Sequence, residues 1–290
     1  MKKALLVLLL VPLVAWAQDE VTLHFDSSPH KEEIAATYSL SITIEGTDQA
    51  TNFVRSLHPL LSLNWLGMKV EGTQQVKGKK NKVEHDDVRV NVRYDDDDYE
   101  YDWKKGEPPE DLGKNKLTQM IWAIAMSPRS YDLSKHGVYK SDDPNQDSNG
   151  EALDLYMHGI TRLKKDAVVE GDSWTSEWKG ERSEKGKKAK WAFTQVVKLE
   201  KFEEQDGHKL ALLTSKLTGV LEGDEDKSAD EKWTKCAGTT RVLVDVATGF
   251  IHEQSGQGVI TAYYRSAAED GSKNEVTIKT AIEGKRTTRK

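Results

Sequence analysis

Residues 191–221 read WAFTQVVKLEKFEEQDGHKLALLTSKLTGVL. In the first part Trp191, Phe193, Val197 and Leu199 fall on one parity, and in the second Leu213, Leu217 and Leu221 do the same. Between the two runs stands Asp206-Gly207, a pair that accepts positive φ in a tight hairpin turn. Alternation on both sides of such a turn predicts two long antiparallel strands, each with one buried and one wet face.

The same pattern extends outward over Gly171 to Glu283. Upstream, Gly171-Asp172-Ser173-Trp174 opens a strand on which Trp174, Ser176 and Trp178 share one face and Thr175, Glu177 and Lys179 the other, with a reversal around Gly186. Downstream, an acidic loop follows Leu221. The chain then returns from Trp233 to Val246, turns at Thr248-Gly249, and continues through Phe250–Tyr264 and Val276–Ile282. Glycines 219, 238, 256 and 258 lie inside these patterns, where glycine permits a bend or bulge.

The N-terminal half alternates in shorter runs: Val21, Leu23, Phe25; Tyr38, Leu40, Ile42, Ile44; Leu61, Leu63, Trp65; Val88, Val90, Val92, Tyr94; and Tyr99, Tyr101, Trp103. Asn52 to His58 is less regular and closes at Pro59. The segment Lys77-Gly78-Lys79-Lys80 is a basic turn, and Asp95 to Asp98 is an acidic corner that prefers solvent. Leu117, Met120, Ile121 and Ile124 recur at helical spacing, which predicts a helix over Leu117–Met126, stopped at Pro128. A small hairpin is expected around His136-Gly137, and a second short helix over Leu153–His158.

Strands of twelve or more residues exceed the usual 5–6 and stay in register only in a sheet that twists and curls. The expected fold is therefore mostly β: a long antiparallel meander curled into an open barrel or half-barrel, with one or two short helices. It is read as one domain over 18–290, with an N-terminal meander (18–104), a helix and loop segment (105–167) and a C-terminal meander (168–284).

Met1 to Ala17 has Lys2 and Lys3, an apolar run from Ala4 to Val14, and Ala15-Trp16-Ala17 before Gln18. This is the pattern of a cleaved secretory signal, and the run is shorter than the ~20 residues of a membrane-spanning helix. The expected location is periplasmic or secreted, with no membrane span after processing. Loss of two lysines leaves 40 basic against 48 acidic residues, a net charge of −8. Such a balance argues against general nucleic-acid binding. Cys236 is the only cysteine, so no internal disulfide exists, and its strand position predicts a small buried core residue.

No hydrolase elbow, zinc-protease, phosphate-loop or dinucleotide fingerprint is present, so no catalytic residue is assigned. Two constellations remain. The inward aromatic face of the C-terminal meander, Trp174, Trp178, Trp191, Phe193 and Val197, either fills the concavity of the sheet or lines a pocket for an apolar guest. A bulky residue at Ala192 or Gly219 would test for spare room. The loop from Asp143 to Asp154 places oxygen ligands at Asp143, Asn145, Asp147, Glu151 and Asp154, the spacing of a Ca²⁺ loop. Ser148 stands where that loop wants glycine, and Asp154 is shorter than the usual bidentate glutamate. His85-Asp86-Asp87 is a weaker metal candidate.

The run Val168-Val169-Glu170-Gly171-Asp172-Ser173-Trp174, followed by hairpins and then Asp245-Val246-Ala247-Thr248-Gly249, resembles an uncharacterised exported bacterial family, a domain of unknown function. In that family a V-x-x-G-D-x-W entry precedes a β-meander with a late D-x-x-T-G turn. The resemblance covers roughly Tyr131 to Tyr264 and brings no activity with it. The inferred shape is also similar to the half-barrels of periplasmic lipoprotein carriers, which hold acyl chains between a curved sheet and helices. That likeness implies an exported, non-catalytic binding or carrier protein for an apolar ligand such as a lipid. The alternative is an envelope structural or protein-interaction module that uses an exposed strand edge, and a hydrolase is the third reading. Oligomeric state is not fixed by the sequence.

Overall fold

The computed structural model describes residues 20–57, 59–94, 97–108, 116–126, 128–141, 159–184, 187–222, 231–267 and 273–290. In chain order the elements are β1 His30–Gly46, α1 Asp48–Leu57, a 3-10 turn Pro59–Ser62, β2 Leu63–Lys77, β3 Lys80–Tyr94, β4 Asp97–Lys104 and α2 Lys116–Met126. They continue as β5 Arg129–Leu133, β6 Tyr139–Ser141, β7 Ser173–Glu184, β8 Lys187–Gln205, β9 His208–Glu222, β10 Glu231–Asp245, β11 Ile251–Ala267 and β12 Lys273–Arg289. The strands form one 12-stranded sheet in the order β6-β5-β3-β2-β1-β12-β11-β10-β9-β8-β7, with β4 added to β3. The named strand pairs are all antiparallel.

The sheet is curled and not closed. Ala36 of β1, Val90 of β3, Leu217 of β9 and Cys236 of β10 share one apolar cluster with Ile121 and Ala125 of α2. Strands so far apart in the order can meet on one face only if the sheet bends around that face. The mostly β, half-barrel architecture read from the alternation is what the chain forms. Cys236 is buried within it.

Turn chemistry explains the hairpins. Asp206 and Gly207 have φ of 51° and 79°, the paired positive values of a type I′ turn whose twist matches the flanking strands. The segment Asp245-Val246-Ala247-Thr248-Gly249 works differently. The Asp245 carboxylate accepts hydrogen bonds from the Ala247 and Thr248 backbone N–H groups at 2.9 and 2.7 Å, and Gly249 N–H donates to the Asp245 carbonyl. The D-x-x-T-G signature is thus a self-capped corner.

The structure differs from the sequence expectation in four places. Asp48–Leu57 is a helix, α1, entered through Thr47, whose carbonyl accepts from Thr51 N–H at 2.9 Å. Ala50 and Val54, one turn apart, are its buried contacts against Val276, while Phe53 is exposed. The alternation at Leu61, Leu63, Trp65 does not persist: the register shifts between Leu63 and Trp65, so Leu66 and Val70 are buried with Leu63 while Trp65 is only half-buried. Val21, Leu23 and Phe25 form no sheet strand. Val21 makes a single bridge to Val168, and Leu23 and Phe25 pack against strand residues such as Val197 and Leu213. Strand β12 runs on to Arg289, beyond the expected end, and pairs with β1 from Glu33↔Arg289 to Gly46↔Val276. The N- and C-terminal meanders are therefore halves of one sheet. The expected helix over Leu153–His158 lies outside the described residues.

Candidate ligand-binding face

Strand alternation puts Trp174, Trp178 and Gly180 of β7 on the same face as Phe193, Val197 and Leu199 of β8, because Trp174 pairs with Val197 and Trp178 with Phe193. The five aromatic-face candidates separate into two groups. Val197, with Trp174 against it, belongs to a cluster at one end of the sheet that includes Leu199, Leu213, Val242 and Val244. Phe193 is buried in the central cluster, against which Trp178 and Trp191 pack half-buried. Trp178 stacks on Phe193 at 5.2 Å between ring centroids.

Part of the concavity is occupied by the chain itself. Leu23, Phe25, Leu163 and Val168 complete the end cluster, and residues 159–163 run across the inward face. A hydroxyl-amide row clamps that segment. The side-chain amide of Gln195, fully buried, donates to the Ile160 carbonyl at 2.9 Å and to Ser215 Oγ at 3.0 Å, and its oxygen accepts from Arg162 N–H at 2.9 Å. Thr240 continues the row to Ser215 at 2.6 Å and Thr161 at 3.0 Å. Every buried polar group in this row has a partner, as burial demands.

The space test at Gly219 and Ala192 has a definite answer. Ala192 is exposed on the outer face. Gly219 faces inward, where an added Cβ would overlap the Phe193 ring and lie 2.6 Å from Cys236 Sγ. Phe193 can lie across β9 only because residue 219 has no side chain.

Around the central cluster a set of large apolar side chains keeps partial contact with solvent: Met68, Tyr101, Trp122, Met126, Trp178 and Trp191. Trp122 of α2 meets Trp103 edge-on at 5.3 Å, and Trp103 in turn stacks with Tyr101 at 5.2 Å. The two arms of the sheet therefore both present aromatic surface next to the same core. Helix α2 is tied to this face by His85, whose Nδ1 donates to the Ala125 carbonyl at 2.6 Å. Burial pushes the His85 imidazole below its ordinary range, outweighing that hydrogen bond.

A polar cluster lies farther along the same face. Arg286, 3% exposed, pairs with Glu32 at 3.2 Å and with Gln74, linking β12 to β1 and β2. Tyr131 donates to Gln74 at 3.2 Å, and Gln74 donates to Asn81 at 2.8 Å. Burial pushes the Glu32 carboxyl up against the opposing pull of Arg286. Removing either partner of such a pair leaves the other charge buried and unpaired, which is the costly outcome.

The opposite face carries a groove of about 800 Å³ across β8–β12, lined by Lys198, Glu200, Lys216, Arg241, Glu253 and Lys285 among others. Its charges largely satisfy one another: Arg241–Glu253 at 2.8 Å, Lys285–Glu253 at 3.7 Å and Lys198–Glu200 at 2.5 Å. Val196, Gly256 and Gly284 stand among these charges in its lining.

The Ca²⁺ candidates Asp143, Asn145, Asp147, Glu151 and Asp154 lie outside the described residues. Among the described residues no cluster of three His, Cys, Asp or Glu side chains has metal-holding geometry, and no helix is long and apolar enough to cross a membrane. Sequence reasoning missed Arg162, Trp122 and Arg286. Gln195 carried a signal, a polar residue on the buried parity between Phe193 and Val197.

No protein-family model matches the chain, and no curated protein matches it. Among solved structures, the crystal structure of Pseudomonas aeruginosa OccK11 (OpdR) aligns over 93% of this chain and 99% of its own, at 7% identity and a TM-score of 0.19. A likeness at that level carries no structural or functional argument.

Proposed function

We propose that the protein is an exported, non-catalytic binding or carrier protein for an apolar ligand of the lipid class. The observation that carries this reading is the set of half-buried Trp122, Trp178, Trp191, Tyr101, Met68 and Met126 packed against an already formed core. Large aromatic and sulfur side chains left partly wet on a concave face suit a guest recognised by area and shape. The end cluster is filled by the chain's own Leu23, Phe25, Leu163 and Val168. The guest's place is therefore beside Trp178 and Trp191 and not along the whole sheet. The secretory-signal pattern of Met1–Ala17 supports export.

The test is binding of a fatty acid or a lipophilic fluorescent probe to the mature folded protein. Saturable binding with a quench or shift of tryptophan emission is expected, reduced by Trp178→Ala and Trp191→Ala. A folded protein that takes up no probe, and carries no retained lipid by native mass spectrometry when purified from its own host, defeats the reading. N-terminal sequencing of the exported protein checks processing, with Gln18 as the expected first residue.

A further inference from the structure

Strand β7 is the terminal strand on its side of the sheet. Its twelve residues, Ser173–Glu184, pair with β8 along their whole length. Among the described residues no strand pairs with its other edge. A free edge of this length presents a row of backbone N–H and C=O groups ready to pair, and proteins usually blunt such edges with proline, bulges or charge. Strand β7 contains no proline, and its pairing with β8 has no bulge. Its central charges, Glu177 and Lys179, are both exposed on the outer face and are opposite in sign, with Trp178 between them on the inner face.

That pattern is self-complementary about the strand's own middle, where a two-fold axis through Trp178 lets residues 173 to 183 of both copies pair. When two β7 strands pair antiparallel about a two-fold axis through Trp178, Glu177 of each copy stands opposite Lys179 of the other. An axis through Glu177 sets that carboxylate opposite itself, and one through Lys179 does the same with the ammonium; one through Gly180 matches Lys179 with Glu181 but pairs only residues 176 to 184 and leaves Glu177 opposite Ser183. An axis between residues turns one copy's outer face toward the other's inner face. Directly opposed side chains of an antiparallel pair are close enough for opposite charges to stabilise and like charges to destabilise it.

We infer that a second copy of this chain occupies the free edge, joining β7 to β7 about Trp178 in a symmetric dimer with one continuous sheet. The contact is isologous, so the two Glu177–Lys179 pairs form together. It does not depend on what the concave face binds.

Sedimentation of the mature wild-type chain is expected to show a dimer. Glu177→Lys and Lys179→Glu each set like charges opposite one another twice. Each variant should weaken the dimer roughly tenfold or more, since two attractions become two repulsions. Both positions are exposed, and circular dichroism checks that each variant is folded. The decisive arm mixes the two variants. One chain then presents two lysines and the other two glutamates, so the mixture should form a heterodimer more tightly than either variant dimerises alone. A wild-type chain that stays monomeric at its highest soluble concentration overturns the proposal. So does a dimer that both variants leave intact, or a mixture that stays monomeric.

Discussion

The Arg162 guanidinium lies 3.7 Å above the Trp178 ring, and the same residue's carbonyl accepts the indole N–H of Trp174 at 2.9 Å. With its N–H bound to Gln195, this one residue fastens the crossing segment to both β7 and β8. A loop residue therefore holds two of the aromatic side chains that alternation had identified on the sheet.

Arg162→Ala is expected to lower stability by about 1–2 kcal/mol, the size of a partly desolvated cation–π contact plus lost packing. The backbone hydrogen bonds survive the substitution, so the tryptophan emission should change more than the far-ultraviolet circular dichroism. Urea unfolding followed by both signals checks this.

At Gly219 even one methyl group has no room. Gly219→Ala should cost about 1–3 kcal/mol by overpacking, while Ala192→Val, on the exposed outer parity, should stay within about 0.5 kcal/mol of the wild type. Phe193→Leu in the Gly219→Ala background should recover part of the loss. Thermal unfolding of the three variants decides the matter, and equal tolerance at 192 and 219 would contradict the packing described.

Stability should fall as the pH drops below the ordinary histidine value of 6.5. Burial pushes His85 and His252 down, so in the acid window the unfolded chain binds more protons than the folded one. By linkage, this contribution is complete above 6.5 and is lost as the pH falls through the lowered values. Replacing His85 with Gln should flatten that part of the profile. Chemical denaturation across pH 7 to 5 supplies the measurement, and a profile flat over that interval in the wild type would refute it.

Calcium tests the oxygen spacing from Asp143 to Asp154. A cation held only by the folded state raises the melting temperature by mass action. Millimolar Ca²⁺ is expected to raise it, and Asp147→Ala to abolish the rise. An unchanged melting curve returns the segment to an ordinary solvated loop.

What was legible in the sequence was local. Asp206-Gly207 announces its turn because only a few residue types accept the φ values it needs, and the inward placement of Trp178 and Phe193 follows from period-two alternation. The phase slip at Trp65 was hidden because a bulge inserts one residue without a composition signal. Helix α1 was missed because Ala50 and Val54 are too small to mark an apolar stripe while Phe53 points to solvent. The role of Arg162 was out of reach, since Gly159-Ile160-Thr161-Arg162-Leu163 reads as an ordinary loop until Gln195, Ser215 and Thr240 are seen beneath it. Pairing of β1 with β12 has no local signal either, because its partners lie about as far apart along the chain as two strands of this protein can.

That last pairing sets an order of events during synthesis and folding. Strand β1 can bond to β2 as soon as both exist, but its second edge waits for Lys273–Arg289. Until those residues arrive, the early meander exposes a hydrogen-bonding edge 17 residues long, and the apolar face around Tyr38 and Val70 lacks Ile282 and Ile260. Closure over so long a separation is slow, and an open edge of that kind attracts wrong partners while it waits. A chain truncated before β12 should accumulate as aggregate or be captured by chaperones, whereas loss of the 12-residue edge strand β7 should leave the centre of the sheet able to assemble.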